Sequence, residues 1–241
     1  MKILTISDVH GRDDWKKEVY ENGNFLAGKK FDKVVFLGDY LDSFDKSNSE
    51  IYINFKEIIE LKKKYPNDII LLIGNHEMSY MDPFYRCSGY RPEMSFFVKR
   101  LLDSNIELFQ LAYQVGNHLW SHAGVHKGWW EYYAQPIIEG KIEKRYTPFF
   151  VNCDNIADQL NLMFEFKEPI LFMVGHDRGG TSKVGGPLWI DKGTLYRKGL
   201  EGYHQIVGHS PVRAIKNFDF SDGTSLTFTD CLNEDFYYLE I

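Results

Sequence analysis

Three observations make this an α/β chain. Short β-branched runs alternate with stretches of helical apolar spacing up to residue 73, each run stops at a turn crowded with Asp, His, Asn and Gly, and strand-like alternation returns after Gly208. The first run is KILTIS (2–7), which ends in Asp8, Val9, His10 and Gly11; a charged stretch with scattered apolar residues follows, the pattern of a surface helix. KVVFL (33–37) ends in Gly38, Asp39, Tyr40, Leu41 and Asp42. Asn48 or Ser49 is placed to cap a helix carrying Ile51, Phe55, Ile58, Ile59 and Tyr65, and Pro66 closes it. IILLI (69–73) then delivers Gly74, Asn75, His76 and Glu77. Strand, helix, strand, helix, strand requires right-handed crossovers and parallel pairing. The three loaded turns therefore belong at one carboxyl edge of a sheet, where open α/β sheets bind ligands.

Beyond Glu93, the residues Phe96, Phe97, Leu101 and Leu102 suggest a further helix, and NHLWSH (117–122) a strand that ends at His122. Residues 124–203 carry the aromatic cluster GWWEYY and the Gly-rich stretch DRGGTSKVGGP and show no clear period. SLTFTD and DFYYLEI alternate as strands near the end. There is no internal repeat and no long linker.

With 241 residues, 44% hydrophobic and 16% aromatic, the chain can bury a sizeable core as one large domain or two small ones. Its 28 basic and 34 acidic residues give a net charge of -6, which argues against duplex nucleic acid as a main partner. Cys87, Cys153 and Cys231 are odd in number and far apart, so neither a disulfide framework nor a CxxC zinc site is expected, and a reducing compartment fits. Asp8 and His10 interrupt the N-terminal apolar run, and no later run approaches ~18 apolar residues. A cytoplasmic protein with no membrane partner is expected.

Asp8, His10, Asp39, Asn75, His76, His122 and His209 supply carboxylate, imidazole and amide oxygen, the donors that divalent cations of hard and borderline character prefer. A carboxylate can bridge two metals, and two metals can clamp the attacking and leaving oxygens of an in-line displacement at phosphorus. One such residue at a strand end is ordinarily a cap or a turn former. Together, the segments DVHG, GDYLD, GNHE, SHAG and GHS, in this order, resemble the calcineurin-like metallophosphoesterase superfamily. GDYLD and GNHE are most similar to its phosphoprotein phosphatase branch, which includes bacterial and phage Ser/Thr phosphatases and dinucleoside tetraphosphatases.

The resemblance implies a four-layer metallophosphoesterase sandwich, two mixed β-sheets flanked by helices, as a single domain over 1–241 with a helical or loop insertion around 124–203. It implies two divalent metal ions, Mn first and Fe, Zn or Ni as alternatives. Asp8 and His10 would bind the first, Asp39 would bridge both, and Asn75, His122 and His209 would complete the second. His76 would be the general acid, with Asp42 on its other ring nitrogen, and a metal-bridging hydroxide would attack the phosphorus of a phosphoprotein or small phosphomonoester. The alternative substrates are dinucleoside polyphosphates, other nucleotides and phosphodiesters, and a third reading is a scaffold that has lost catalysis. A related branch has a second His two residues after the one at 209; here Pro211 stands there, so the first metal should carry more water.

Other positions depart from the pattern. Ser43 and Phe44 replace the usual Arg-Gly after GDYLD, and Ile73 replaces Arg before GNHE, which removes a bidentate phosphate fork. Arg178 in HDRGG resembles the second phosphate-binding Arg of the branch, whereas Arg86 and Arg91 are expected to serve a solvated loop. His176 competes with His209 because both follow Val-Gly. His118 is expected to be structural, and His126 and His204 to lie at the surface or just behind the site residues.

Overall fold

A computed structural model describes residues 1–21, 24–25, 30–82, 84–232 and 234–241. Its strands are β1 (Lys2–Ile6), β2 (Tyr20–Glu21), β3 (Asn24–Phe25), β4 (Lys33–Phe36), β5 (Ile69–Leu72) and β6 (Phe109–Gln110), then β7 (Ala112–Val115) and β8 (His118–Ser121). Toward the C-terminus come β9 (His204–Val207), β10 (Lys216–Asp219), β11 (Ser225–Phe228) and β12 (Tyr237–Glu240). They form two mixed five-stranded sheets and the small β2–β3 ribbon, and helices accompany both sheets. The chain divides into two compact units: Met1–Phe109 with Pro211–Ile215 and Thr229–Ile241, and Gln110–Ser210 with Lys216–Phe228.

The first unit carries the sheet β12-β1-β4-β5-β6. β1, β4 and β5 are parallel, with Ile6 opposite Phe36 and Phe36 opposite Leu71, so their carboxyl ends finish in step. β12 runs antiparallel to β1. These three parallel strands are buried on both faces, which explains their continuous Val/Ile/Leu text. Between β4 and β5 lies α2 (Asn48–Lys64), preceded by α1 (Trp15–Val19).

The start of α2 corrects the expectation of a cap at Asn48 or Ser49. Ser47 is the cap, because Glu50 three residues on completes a capping box: Glu50 N–H donates to Ser47 Oγ at 3.3 Å and Ser47 N–H donates to Glu50 Oε2 at 2.8 Å. Ile51, Phe55, Ile58 and Ile59 bury one face, and Phe55 stacks on Tyr40 at 5.2 Å between ring centres. In the helix Ser95–Asp103 the buried face is Val98 and Leu102; Phe96 and Phe97, read as apolar helix positions, are exposed.

The second unit carries β10-β11-β9-β8-β7, in which β8, β9 and β11 are parallel and β7 and β10 antiparallel edges. β7 and β8 form a hairpin through Gly116 and Asn117, with Gly116 at φ 57. The stretch 124–203 is built of short helical pieces and the longer helix Ile156–Glu165. Asn161 fastens that helix to the sheet by accepting from Leu111 N–H (2.8 Å) and Ala112 N–H (3.0 Å) and donating to Ala112 O (3.0 Å). Within GWWEYY, Trp129 is buried and donates its indole N–H to Ile170 O, while Tyr132 is exposed. Among the described residues, no helix is long and apolar enough to cross a membrane.

Candidate functional site

Each strand of the first unit that ends in step hands the chain to a tight turn, and the turns are stitched together. His10 N–H donates to Asp39 O at 2.8 Å and Gly11 N–H to Tyr40 O at 3.1 Å. Gly38, at φ 101, and Gly74 pass so closely that a Cβ on Gly38 would lie 2.4 Å from Gly74 N, and one on Gly74 would lie 2.3 Å from Asp39 N. Only glycine fits at either position.

The backbone at the candidate residues is unusual. Seven non-glycine residues among those described have positive φ, and five of them are Asp8 (43), His10 (44), Asp39 (51), Asp42 (56) and His209 (64). Left-handed backbone costs a non-glycine residue about 1 kcal/mol or more, and such strain concentrates where side chains must be aimed.

Asp39 is 2% exposed and lies between two imidazoles. Its Oδ2 is 3.9 Å from His10 Nε2 and 3.8 Å from His76 Nε2, while its Oδ1 accepts from His76 N–H at 3.0 Å, at the start of the helix Asn75–Met81. His10 Nδ1 donates to the carbonyls of Leu41 (2.8 Å) and Asp42 (2.6 Å), so the proton sits on Nδ1 and Nε2 offers its lone pair. One donor atom each from His10, Asp39 and His76 lies within 4.8 Å of the others. A carboxylate facing an imidazole in its ligand tautomer, at non-bonded separation, suits a divalent cation.

His76 sits in the same cluster with a different partner. Its Nδ1 donates to Asp42 Oδ2 at 2.9 Å. Burial alone would push the imidazole down, but the Asp39 and Asp42 carboxylates outweigh it and raise His76 to about 9. Asn75 is buried and donates its amide Nδ2–H to Cys87 Sγ at 3.0 Å. Burial, followed by Asp39 and Asp42, pushes the Cys87 thiol to about 12, so Cys87 Sγ–H remains a donor, to Asn75 O.

Glu77 was read as part of GNHE without a role, and it is the knot of the two turns. It is fully buried; Oε2 accepts from Asp39 N–H (2.9 Å) and Gly74 N–H (3.0 Å), and Oε1 from Tyr40 N–H (2.9 Å) and Leu41 N–H (3.3 Å). Burial and Asp39 push its carboxyl up, and His76 and the amides pull it down. The sequence signal was the Glu three residues after Gly74, the spacing of a capping box. Arg86 is exposed and donates to the carbonyls of Ser79, Asp82 and Tyr85, and the half-buried Arg91 donates to Ser43 O, Lys46 O and Asn48 Oδ1.

The second unit uses the same device. Gly208 N–H donates to His122 O at 2.8 Å, so the carboxyl ends of β8 and β9 leave together. His122 is fully buried, His209 is 8% exposed, and His122 Nε2 lies 3.1 Å from His209 Nδ1. Arg178 donates to the hydroxyl of Ser210, next to His209, and pairs with Asp191 at 3.2 Å. His176 turns away, its Nε2 donating to Thr181 O at 2.9 Å. His118 and His204 face each other at 5.3 Å across β8 and β9, and His126 Nδ1 accepts from Gly128 N–H to cap a short helix.

Two mixed sheets with Asp and His on left-handed backbone at the ends of parallel strands make an α/β fold whose turn residues could hold a metal ion. The chain belongs to the calcineurin-like phosphoesterase family, whose model matches residues 1–236. It is 31% identical over 83 residues to the Serine/threonine-protein phosphatase 6 catalytic subunit of Caenorhabditis elegans, a match over 34% of this chain and 23% of that protein, so it spans under a quarter of that relative. Its fold is similar to a cold-active protein-tyrosine phosphatase of Shewanella sp. (TM-score 0.58, 17% identity, 99% of this chain and 75% of that one). It is also similar to a protein serine/threonine phosphatase of Saccharomyces cerevisiae (TM-score 0.50, 20% identity, 95% and 67%). Both solved structures are similar to this chain in fold.

Proposed function

We propose that this chain is a metal-dependent phosphomonoesterase of the phosphoprotein phosphatase kind, working as a single catalytic domain in the reducing cytoplasm. The observation that carries the reading is the left-handed backbone at Asp8, His10, Asp39, Asp42 and His209, strain of the kind that gathers where side chains are aimed at a ligand. Three free cysteines accord with the compartment.

Asp8, His10 and Asp39 would hold one divalent cation, and Asp39, Asn75, His122 and His209 a second, with Mn the first choice. Bound cations of this kind neutralise phosphoryl oxygens and lower the pKa of water. His76 supplies the proton: with Nδ1–H fixed on Asp42, its Nε2–H is the one available to the departing oxygen, and the Asp42 carboxylate favours the protonated ring. Arg178, held by Asp191 and Ser210, is the guanidinium proposed to meet a phosphoryl oxygen, since Arg86 and Arg91 are spent on backbone carbonyls. Phosphoproteins and small phosphoesters, nucleotides included, are the proposed substrates.

The test is turnover of an alkyl phosphate and of p-nitrophenyl phosphate by the manganese-loaded protein and by His76→Asn. Loss of the acid should lower alkyl turnover by about 10²-fold and aryl turnover far less, because nitrophenolate leaves without a proton. Equal losses on both would remove His76 from the acid role, and an inert wild type would remove the phosphatase reading itself.

A further inference from the structure

We propose that Tyr80 is a positioning residue for His76, acting through Asp42; this rests on the phosphatase reading above. Asp42 is 3% exposed and sits on left-handed backbone at φ 56, so its carboxylate is not held in place by ordinary strand or helix geometry. Both of its oxygens are occupied. Oδ2 accepts from His76 Nδ1–H at 2.9 Å, and Oδ1 accepts from the Tyr80 hydroxyl. Tyr80 is 3% exposed and accepts in turn from Arg91 N–H at 3.2 Å.

The far end of this chain is anchored too. The Arg91 guanidinium donates to Ser43 O and to Lys46 O (2.8 Å), on the loop that follows Asp42, and to Asn48 Oδ1. A line of hydrogen bonds thus runs from Arg91 N–H to the Tyr80 hydroxyl, which donates to Asp42, and Asp42 accepts from the ring of His76 on its other oxygen. A carboxylate has one rotamer in which it can serve two opposed donors at once, and the Tyr80 hydroxyl selects it. The phenol is a dependable donor, because burial and Asp42 keep it protonated far above its ordinary range.

In the reaction, His76 Nε2–H passes its proton to the leaving oxygen as that oxygen takes the P–O electron pair. The ring becomes neutral, and Nδ1–H remains on Asp42. Without the Tyr80 hydroxyl, Asp42 rotates and the ring loses its aim, while the cation ligands are untouched. Proton delivery should suffer where it is needed, and cation-assisted attack should not.

The experiment compares wild type with Tyr80→Phe, which removes one oxygen and no ring volume. On an alkyl phosphate kcat should fall about ten-fold with KM unchanged; on p-nitrophenyl phosphate the loss should stay within about two-fold, and bound manganese should be equal in the two proteins. An equal loss on both substrates, or an unaltered alkyl kcat, overturns the role. A second readout needs no turnover: in the metal-free protein the His76 Nδ1–H proton should give a protected downfield resonance that Tyr80→Phe shifts or loses to exchange. An unchanged resonance overturns the positioning role. A wild type that hydrolyses neither substrate while the resonance still depends on Tyr80 sinks the phosphatase reading and leaves the positioning role standing.

Discussion

The two units bring imidazoles to strand ends in different ways. In the first, each ring is oriented by a neighbour that is not a ring: His10 by the carbonyls of Leu41 and Asp42, His76 by the Asp42 carboxylate, with Glu77 gathering four amides beneath them. In the second, His122 and His209 lean on each other, and at 3.1 Å one N–H must lie between two ring nitrogens. The first arrangement is held by carbonyls and carboxylates, whereas the second joins two rings that a cation bound as proposed would rearrange. The first half should therefore keep its geometry with or without metal, and the second should depend on it.

The largest effect that could break this contrast lies at Asp39, which is proposed to serve both metals. Asp39→Asn should strip the protein of bound manganese by elemental analysis and lower turnover by about 10³-fold, the several kcal/mol expected of cation catalysis. Retention of full metal content would show that Asp39 bridges nothing. Next comes the scaffold. Glu77→Gln replaces an acceptor by an amide N–H that faces donors, so about 3 kcal/mol should be lost in denaturant unfolding even without metal. A loss below ~1 kcal/mol would mean that the turns hold themselves.

A pH series sharpens the same comparison. In the metal-free protein His76 is raised from its ordinary 6.5 to about 9, so the stabilisation is complete below about pH 6.5 and is lost as pH rises through 9. The slope amounts to at most about 3 kcal/mol, and His76→Asn should flatten it in thermal or urea unfolding across that window. An unchanged slope in the variant would assign the titration to another group, Glu77 first.

How much of this could be read from the chain depends on how local each feature is. Asp8, Asp39, Asn75 and His76 each follow a recognisable buried run by one to three residues, so strand ends and chemistry were legible together. Glu77 and Tyr80 were not, since their meaning lies in partners 36 or more residues away: the amides of 39–41 and the carboxylate of Asp42. Arg91 reads as a loop cation until Ser43 and Lys46 present their carbonyls to it. The choice between His176 and His209 was open for the same reason, because only the parallel pairing of β8 with β9 brings residue 209 beside residue 122. The stretch 124–203 stayed illegible because its helices are short or irregular, too brief for a period to declare itself.

The smallest expected effect is also a control: His176→Ala should change neither metal content nor turnover, since its ring is engaged with Thr181 O. It supplies the partner for the test of the proposal that Asp8, His10, Asp39, Asn75, His122 and His209 hold a pair of cations. Manganese-loaded wild type, His176→Ala and His209→Ala are compared by elemental analysis. The account predicts about two equivalents per chain for the first two and about one for His209→Ala, with the site of Asp8, His10 and Asp39 still filled. Two equivalents in His209→Ala, or the loss appearing in His176→Ala instead, would contradict it.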